Sequence, residues 1–225
     1  MLGWNSTPQR PARGEYPEPP APAPSAKERH MAEKTAPARR TVILDNAARL
    51  FAEQGIGGTS VREISASVGM LSGSLYHHFA SKDEMVEEIL TEFLEELQGR
   101  YRSVTDSGTE PREALNQLIR ITLEIIRDFP YATQIYQNEV AYIQKLPKST
   151  GARAISSDIA KLWVEVIEQG IASGVFKKDL DAHVVHRLVR DALWLTARWF
   201  SPSKKYTLDQ LTKDCSALFL DGIVA

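Results

Sequence analysis

The chain has 225 residues, 43% hydrophobic and 25% charged, which is ordinary for a globular protein with length enough for a packed core. A formal net charge of −2 excludes a polycation, although a small DNA-reading module is compatible with an acidic remainder. The single cysteine, Cys215, excludes a disulfide framework within one chain, and no apolar run reaches the roughly 20 residues of a membrane span, so a cytoplasmic protein without membrane contact is expected.

Residues 1–37 are rich in proline and show no helical or strand period, which predicts a disordered tail. From Thr41 the apolar spacing is helical. "TVILDNAARLFAEQG" places Ile43, Leu44, Ala47, Ala48, Leu50 and Phe51 on one stripe and stops at Gly55. A second helix opens at Thr59, read as its N-cap, with no reciprocal capping box because Arg62 then stands third. A third covers roughly Leu71 to Phe79. Ser81, with Glu84 three residues on, opens a long fourth helix with Met85, Ile89, Phe93 and Leu97 spaced by four. Helices are then expected at about 111–128, 131–145, 152–172, 180–200 and 207–222, separated by Gly-, Pro- and Ser-bearing linkers. The fold class is all-α, about nine helices with no sheet. Its expected divisions are the tail at 1–37, a helix-turn-helix unit with the start of the long connector helix at 38–97, and a ligand-binding and dimerisation domain at 98–225.

The stretch 59–82, "TSVREISASVGMLSGSLYHHFASK", joins two short helices at Gly69. Val61, Ile64 and Val68 form one apolar face and Leu75 and Phe79 another; packed on Leu50 and Phe51 they make a three-helix unit with a tight helix-turn-helix link. The third helix is left with Ser72, Gly73, Ser74, Tyr76, His77 and His78 for the outside. Small side chains let a helix approach base edges closely, and Tyr and His donate to phosphate. Thr59, Ser60 and Lys82 lie at helix starts, where amides favour phosphate, and Arg40 lies close enough in sequence to add a cation. A metal site on His77 and His78 fails, because adjacent helical residues point about 100° apart. A plain structural hairpin leaves the small polar helix unmotivated. The unit is not strongly basic: Thr41–Lys82 holds three basic and three acidic residues.

In the second half, "HRLVRDALWLTARWF" sets His186, Arg190, Trp194 and Arg198 four apart on one helical line. Two guanidinium groups around an indole suit an anionic, planar ligand such as an acyl-CoA. Salt bridges for the arginines and a core position for Trp194 are the alternative. Tyr131, Tyr136, Glu139 and Trp163 are further pocket candidates, with a mostly apolar lining. Leu188, Ala192, Leu195 and Trp199, with Leu218 of the last helix, form a second stripe that suits a subunit interface, burial within the monomer being the alternative.

The run "VREISASVGMLSGSLYHHFASKDEMVEEIL", with Tyr76, Phe79, Ser81 and Lys82 in a Tyr-x-x-Phe-x-Ser-Lys pattern, resembles the DNA-binding region of TetR-family transcriptional regulators over residues 41–90. "LWVEVIEQGI" and "LVRDALWLTARWF" add a resemblance to actinobacterial repressors of sterol-ring (cholesterol) catabolism that respond to CoA thioesters. The resemblance implies a nine-helix homodimer without a cofactor. Its first three helices would read a double-stranded operator, the fourth would transmit, and the rest would hold a small-molecule effector. An all-helical acyl-thioester enzyme, a helical scaffold for protein contact and a TetR-type regulator with an unrelated hydrophobic ligand are the competing readings. The sequence shows no Ser–His–acid or Cys–His arrangement and no Gly-rich phosphate loop in favour of the enzyme.

Overall fold

The computed structural model describes residues 26–138 and 151–224, with side chains from residue 39 onward. Among these residues every named element is helical, and a lone antiparallel bridge pairs Phe176 with Val224. In chain order they are α1 (Ala26–Gln54), α2 (Val61–Ser67), α3 (Ser72–Leu75), α4 (Lys82–Thr105), α5 (Pro111–Asp128), α6 (Pro130–Asn138), α7 (Gly151–Ala172), α8 (Ala182–Leu195) and α9 (Leu208–Ile223), with a 3₁₀ turn at Thr196–Arg198 after α8. One compact body begins at Arg39. The connector helix that the 97–98 boundary was expected to cut is α4, a single unbroken helix.

α1 starts upstream of the expected Thr41. "AKERHMAEK" from Ala26 has no apolar face, but Ala, Lys, Glu, Arg and Met are strong intrinsic helix formers, a signal that amphipathic periodicity does not register. Residues 1–25 of the expected tail lie outside the described residues.

The start of α2 is one residue later than expected. Ser60 is the N-cap: its Oγ accepts the Glu63 N–H at 3.2 Å, and the Glu63 carboxylate accepts the Ser60 N–H at 2.7 Å. The reciprocal capping box is therefore present. α2 ends where Gly69 turns left-handed (φ 65°), which lets Gly69 N–H reach the Ala66 carbonyl (3.1 Å) and Met70 N–H the Ser65 carbonyl (2.8 Å). These two hydrogen bonds fix the angle at which α3 leaves. α3 itself is a single turn, shorter than the expected 71–79. The chain beyond it continues in turns, with His78 and Phe79 N–H both donating to the Leu75 carbonyl. Ile64, Leu75 and Phe79 are buried with Phe51 and Met85, so the first three helices share one core with the start of α4.

In the second half α4 packs along α7, α5 lies against α4, α7, α8 and α9, and α8 packs on α7. The expected helix 180–200 stops at Leu195. There the Thr196 hydroxyl donates to the Leu193 carbonyl (2.6 Å) and the chain tightens to 3₁₀, six residues before Pro202. α6 is described as far as Asn138, the rest of the expected 131–145 lying outside the described residues, and it is doubly tied. Gln134 donates to the Ala52 carbonyl of α1 (3.0 Å), and Gln137 donates to the Trp194 carbonyl of α8.

Candidate nucleic-acid interface and effector cleft

The side chains of the helix-turn-helix divide into outward and inward sets. Tyr76 is 56% exposed, Ser60, Gly73 and His77 are exposed, and Ser74 and His78 are half-buried. A Cβ added at Gly73 meets no atom within 4 Å, so packing inside the protein does not require a glycine there. Its smallness is a property of the outer surface. Ser72 is shared between the two sets, its Oγ lying 3.0 Å from Ser65 Oγ and tying α3 back to α2.

Three expected contact residues point inward instead. Thr59 is 2% exposed, and its hydroxyl lies within hydrogen-bond reach of the Leu50 (3.2 Å) and Gly55 (2.9 Å) carbonyls. It secures the end of α1 rather than facing outward. Lys82 Nζ donates to the Ile56 (2.5 Å) and Thr59 (3.0 Å) carbonyls, holding the α1–α2 loop to the start of α4. Arg40 pairs with Glu84 and Glu88 on α4, donates to the His78 carbonyl, and lies 3.9 Å over the Phe79 ring. The hydrogen bond to Glu88 raises the Arg40 pKa further. Arg40 thus clamps α1, the α3 turn and α4 together.

The expected α8 residues do converge, although α8 does not run far enough to carry all of them. A cleft of about 600 Å³ is lined by Leu90 and Leu94 of α4, Tyr136 of α6, Ser156 of α7, and Arg190, Trp194 and Arg198. Arg153 of α7 and Asp191 of α8 also line it. Tyr136 and Trp194 lie 5.7 Å apart, Phe93 is 6.0 Å from each, and Tyr136 Oη is 2.6 Å from Ser156 Oγ. Arg190 pairs with Asp191 at 2.8 Å, as the alternative reading had it, and Arg198 donates to Asn138 Oδ1 at 3.4 Å. Both pairings are at the surface, where screening leaves them weak.

Behind Trp194 the cleft meets a 50 Å³ recess that shares Leu94, Tyr136, Ser156, Arg190 and Trp194 and adds Tyr101, Thr122, Trp163 and His186. Trp163 is buried between Tyr101 and His186, each 5.8 Å away. Tyr101 Oη and Thr122 Oγ1 are 2.5 Å apart, and burial pushes the phenol pKa up. One expected member lies elsewhere. Tyr131 lies in a separate 240 Å³ cleft against α1 and α4, and Glu139 is outside the described residues. Arg153 was missed. It stands at the start of a helix whose pairing with α8 no local pattern announces.

His186 is 6% exposed, and burial, aided by the Arg190 charge, holds its pKa down to about 4. In the unfolded chain the imidazole titrates near 6.5, so between these values the unfolded state binds the extra proton. His186 therefore leaves stability undiminished above about pH 6.5 and erodes it as pH falls toward 4, by about 2 kcal/mol at pH 5. Urea midpoints taken from pH 7.5 to 4.5 should fall less steeply for His186→Gln. Equal slopes would show that the imidazole is not held neutral.

A third surface is apolar and uncovered. On α8, Leu188 is 65% and Leu195 50% exposed, with exposed Ala192 between them; Trp199 is 60% and Leu218 of α9 71% exposed. Leu188 and Leu195, two helical turns apart, share a face.

Residues 43–89 match the family model of bacterial regulatory proteins of the tetR family, and residues 108–223 match a tetracyclin repressor-like C-terminal domain. The HTH-type transcriptional repressor KstR2 of Rhodococcus jostii strain RHA1 is 40% identical over 187 residues, 83% of this chain and 92% of that protein. The structure of the ketosteroid transcriptional regulator KstR2 of Mycobacterium tuberculosis superposes with a TM-score of 0.77 at 41% identity, over 83% of this chain and 95% of that one. AibR in complex with isovaleryl coenzyme A and operator DNA superposes with a TM-score of 0.71 at 24% identity, over 80% of this chain and 97% of that one, a likeness of fold.

Proposed function

The chain belongs to the TetR family of bacterial regulatory proteins, and on that footing we propose that it is a homodimeric cytoplasmic repressor released from its operator by a CoA thioester from sterol-ring degradation. It is a regulator rather than an enzyme, so the acyl-thioester enzyme reading falls away. The observation that carries the effector is the cleft: Arg153, Arg190 and Arg198 line it together with Trp194, and Leu90, Leu94 and Tyr136 add an apolar part to the same lining. Guanidinium groups suit phosphates, an indole face suits adenine, and the 600 Å³ cleft, with Leu90, Leu94 and Tyr136 in its lining, has room for an acyl group. The KstR2 relative is a ketosteroid regulator, which supports a ring-derived acyl group over an unrelated hydrophobic ligand.

In this reading two heads lie roughly 34–36 Å apart on an inverted-repeat operator. Leu90 and Leu94, in the cleft wall, lie on the same helix as Glu84 and Glu88, the carboxylates that hold Arg40. A ligand bearing on that stretch of α4 alters the seat of the head. A coupling of about 1–3 kcal/mol is the usual scale for such control.

The test is operator binding followed by fluorescence anisotropy against a panel of CoA thioesters, free CoA and the matching free acids. A ring-derived thioester should weaken operator affinity about 10-fold or more, within the usual range of such couplings. Trp194→Ala should keep operator binding and need roughly 10-fold more thioester for half release. Because Trp194 packs on Phe93 and Tyr136, Trp194→Phe serves as the milder partner, expected to restore part of the response. Operator affinity that ignores every thioester would leave the repressor and remove this effector.

A further inference from the structure

Five helix starts in this protein are closed by a side chain. Ser60, Ser81, Glu110, Asp181 and Thr207 each accept an N–H of the turn they open. α3 departs from that habit: its cap position is Leu71, extended at φ −74° and ψ 143°, with no side-chain cap bond. The leucine is also 81% exposed, the most of the large apolar side chains among the described residues. One position thus forgoes both a capping hydroxyl and burial, two ordinary sources of stability.

A lone exposed leucine needs no explanation on most surfaces. This one stands at the leading end of the reading helix. Gly69 and Gly73 flank it, and at neither would a Cβ meet an atom within 4 Å, so the surface around it is open. Ser72 is drawn back to Ser65, and Leu75 is wholly buried. Leu71 therefore projects alone, an apolar side chain on a surface otherwise made of small and polar groups. The first residues of a reading helix meet base edges in the major groove. The one apolar group those edges offer is the 5-methyl of thymine.

We propose that Leu71 is a base-reading residue, closing on the 5-methyl group of a thymine in each operator half-site. It rests on the DNA-reading role given above. The experiment takes a duplex that the full-length protein selects from a randomised pool and replaces each symmetry-related thymine pair with deoxyuridine. This change keeps every hydrogen bond and removes only the methyl. One pair should weaken wild-type binding about 15-fold, about fourfold per half-site, the effect of exposing one methyl-sized group. Leu71→Ala should bind the thymine duplex about as weakly, ignore deoxyuridine at that pair, and melt like the wild type. Wild-type binding that no thymine pair affects overturns the proposal, as does a Leu71→Ala protein that keeps wild-type affinity or wild-type sensitivity to deoxyuridine. A wild-type protein that selects no duplex overturns the repressor reading along with it; the other outcomes bear on Leu71 alone.

Discussion

Replacing Leu188 and Leu195 together with glutamate is expected to lower operator affinity at least about 100-fold, the scale of losing a linked second binding event, while leaving the protomer folded. Both side chains are half exposed or more, so a carboxylate at either position stays hydrated in the separate protomer. In the proposed isologous dimer each substitution occurs twice, and four carboxylates would enter one apolar interface. Desolvating unpaired charges costs several kcal/mol each, more than such an interface returns. A protomer alone presents one reading head and loses the gain of two heads held at a fixed separation. Light scattering should report the protomer mass, circular dichroism an unchanged helix content, and anisotropy the lost affinity. A double variant that remains a dimer with wild-type affinity would place the subunit contact elsewhere.

Gly170→Ala is expected to destabilise the protein by about 2–4 kcal/mol, against the gain of about 1 kcal/mol that alanine ordinarily brings inside a helix. The reason is the turn after α7. Gly174 is left-handed (φ 77°), and the chain folds back so that Phe176 N–H donates to the Gly170 carbonyl at 2.9 Å. The Phe176 ring lies on the glycine: a Cβ there would stand 2.1 Å from Cδ2 and 2.2 Å from Cε2. The ring has no room to withdraw. It is fully buried, its backbone bridges Val224, and Lys177 N–H donates to the Ile223 carbonyl (3.0 Å) at the end of α9. Overpacking of this kind costs about 1–3 kcal/mol, and expelling the ring altogether about 3–5 kcal/mol. For a body of this size the melting temperature should fall on the order of 5–10 °C. Combining Gly170→Ala with Phe176→Ala should cost less than the sum of the two single changes, because the clash is removed with the ring. An unchanged or raised Tm for Gly170→Ala would refute this account of the turn.

Much of the fold is legible in the sequence because most of it is amphipathic helix, and a 3.6-residue period with caps and Gly stops survives reading one residue at a time. The departures occur where the decisive partner is far along the chain. Thr59 and Ser60 are both good caps by type, and the choice between them is made by the carbonyls of Leu50 in α1 and of Gly55 just after it, which take the Thr59 hydroxyl. Arg40 and Lys82 read as spare cations until their partners 48 and 26 residues away are in place. The Arg190–Trp194–Arg198 line was readable because it is local, even though the last of the three has left the α-helix. Arg153 and the α4 leucines join them only through packing between helices. Leu71 is indistinguishable in sequence from a core leucine, because exposure, the property that sets it apart, is not written in a residue's type.

Gln134 and Gln137, one turn apart on α6, hold a carbonyl of the reading head and a carbonyl of the cleft wall through one amide each. A tie of this sort has no preferred direction. Whatever factor a bound ligand takes from operator affinity, a bound operator takes from ligand affinity, typically about 5- to 150-fold. A protein seated on its operator is then a poorer detector than the same protein free in solution. The unbound pool would fill with ligand first, and release from the operator would lag behind as a threshold set by how many copies stand unoccupied.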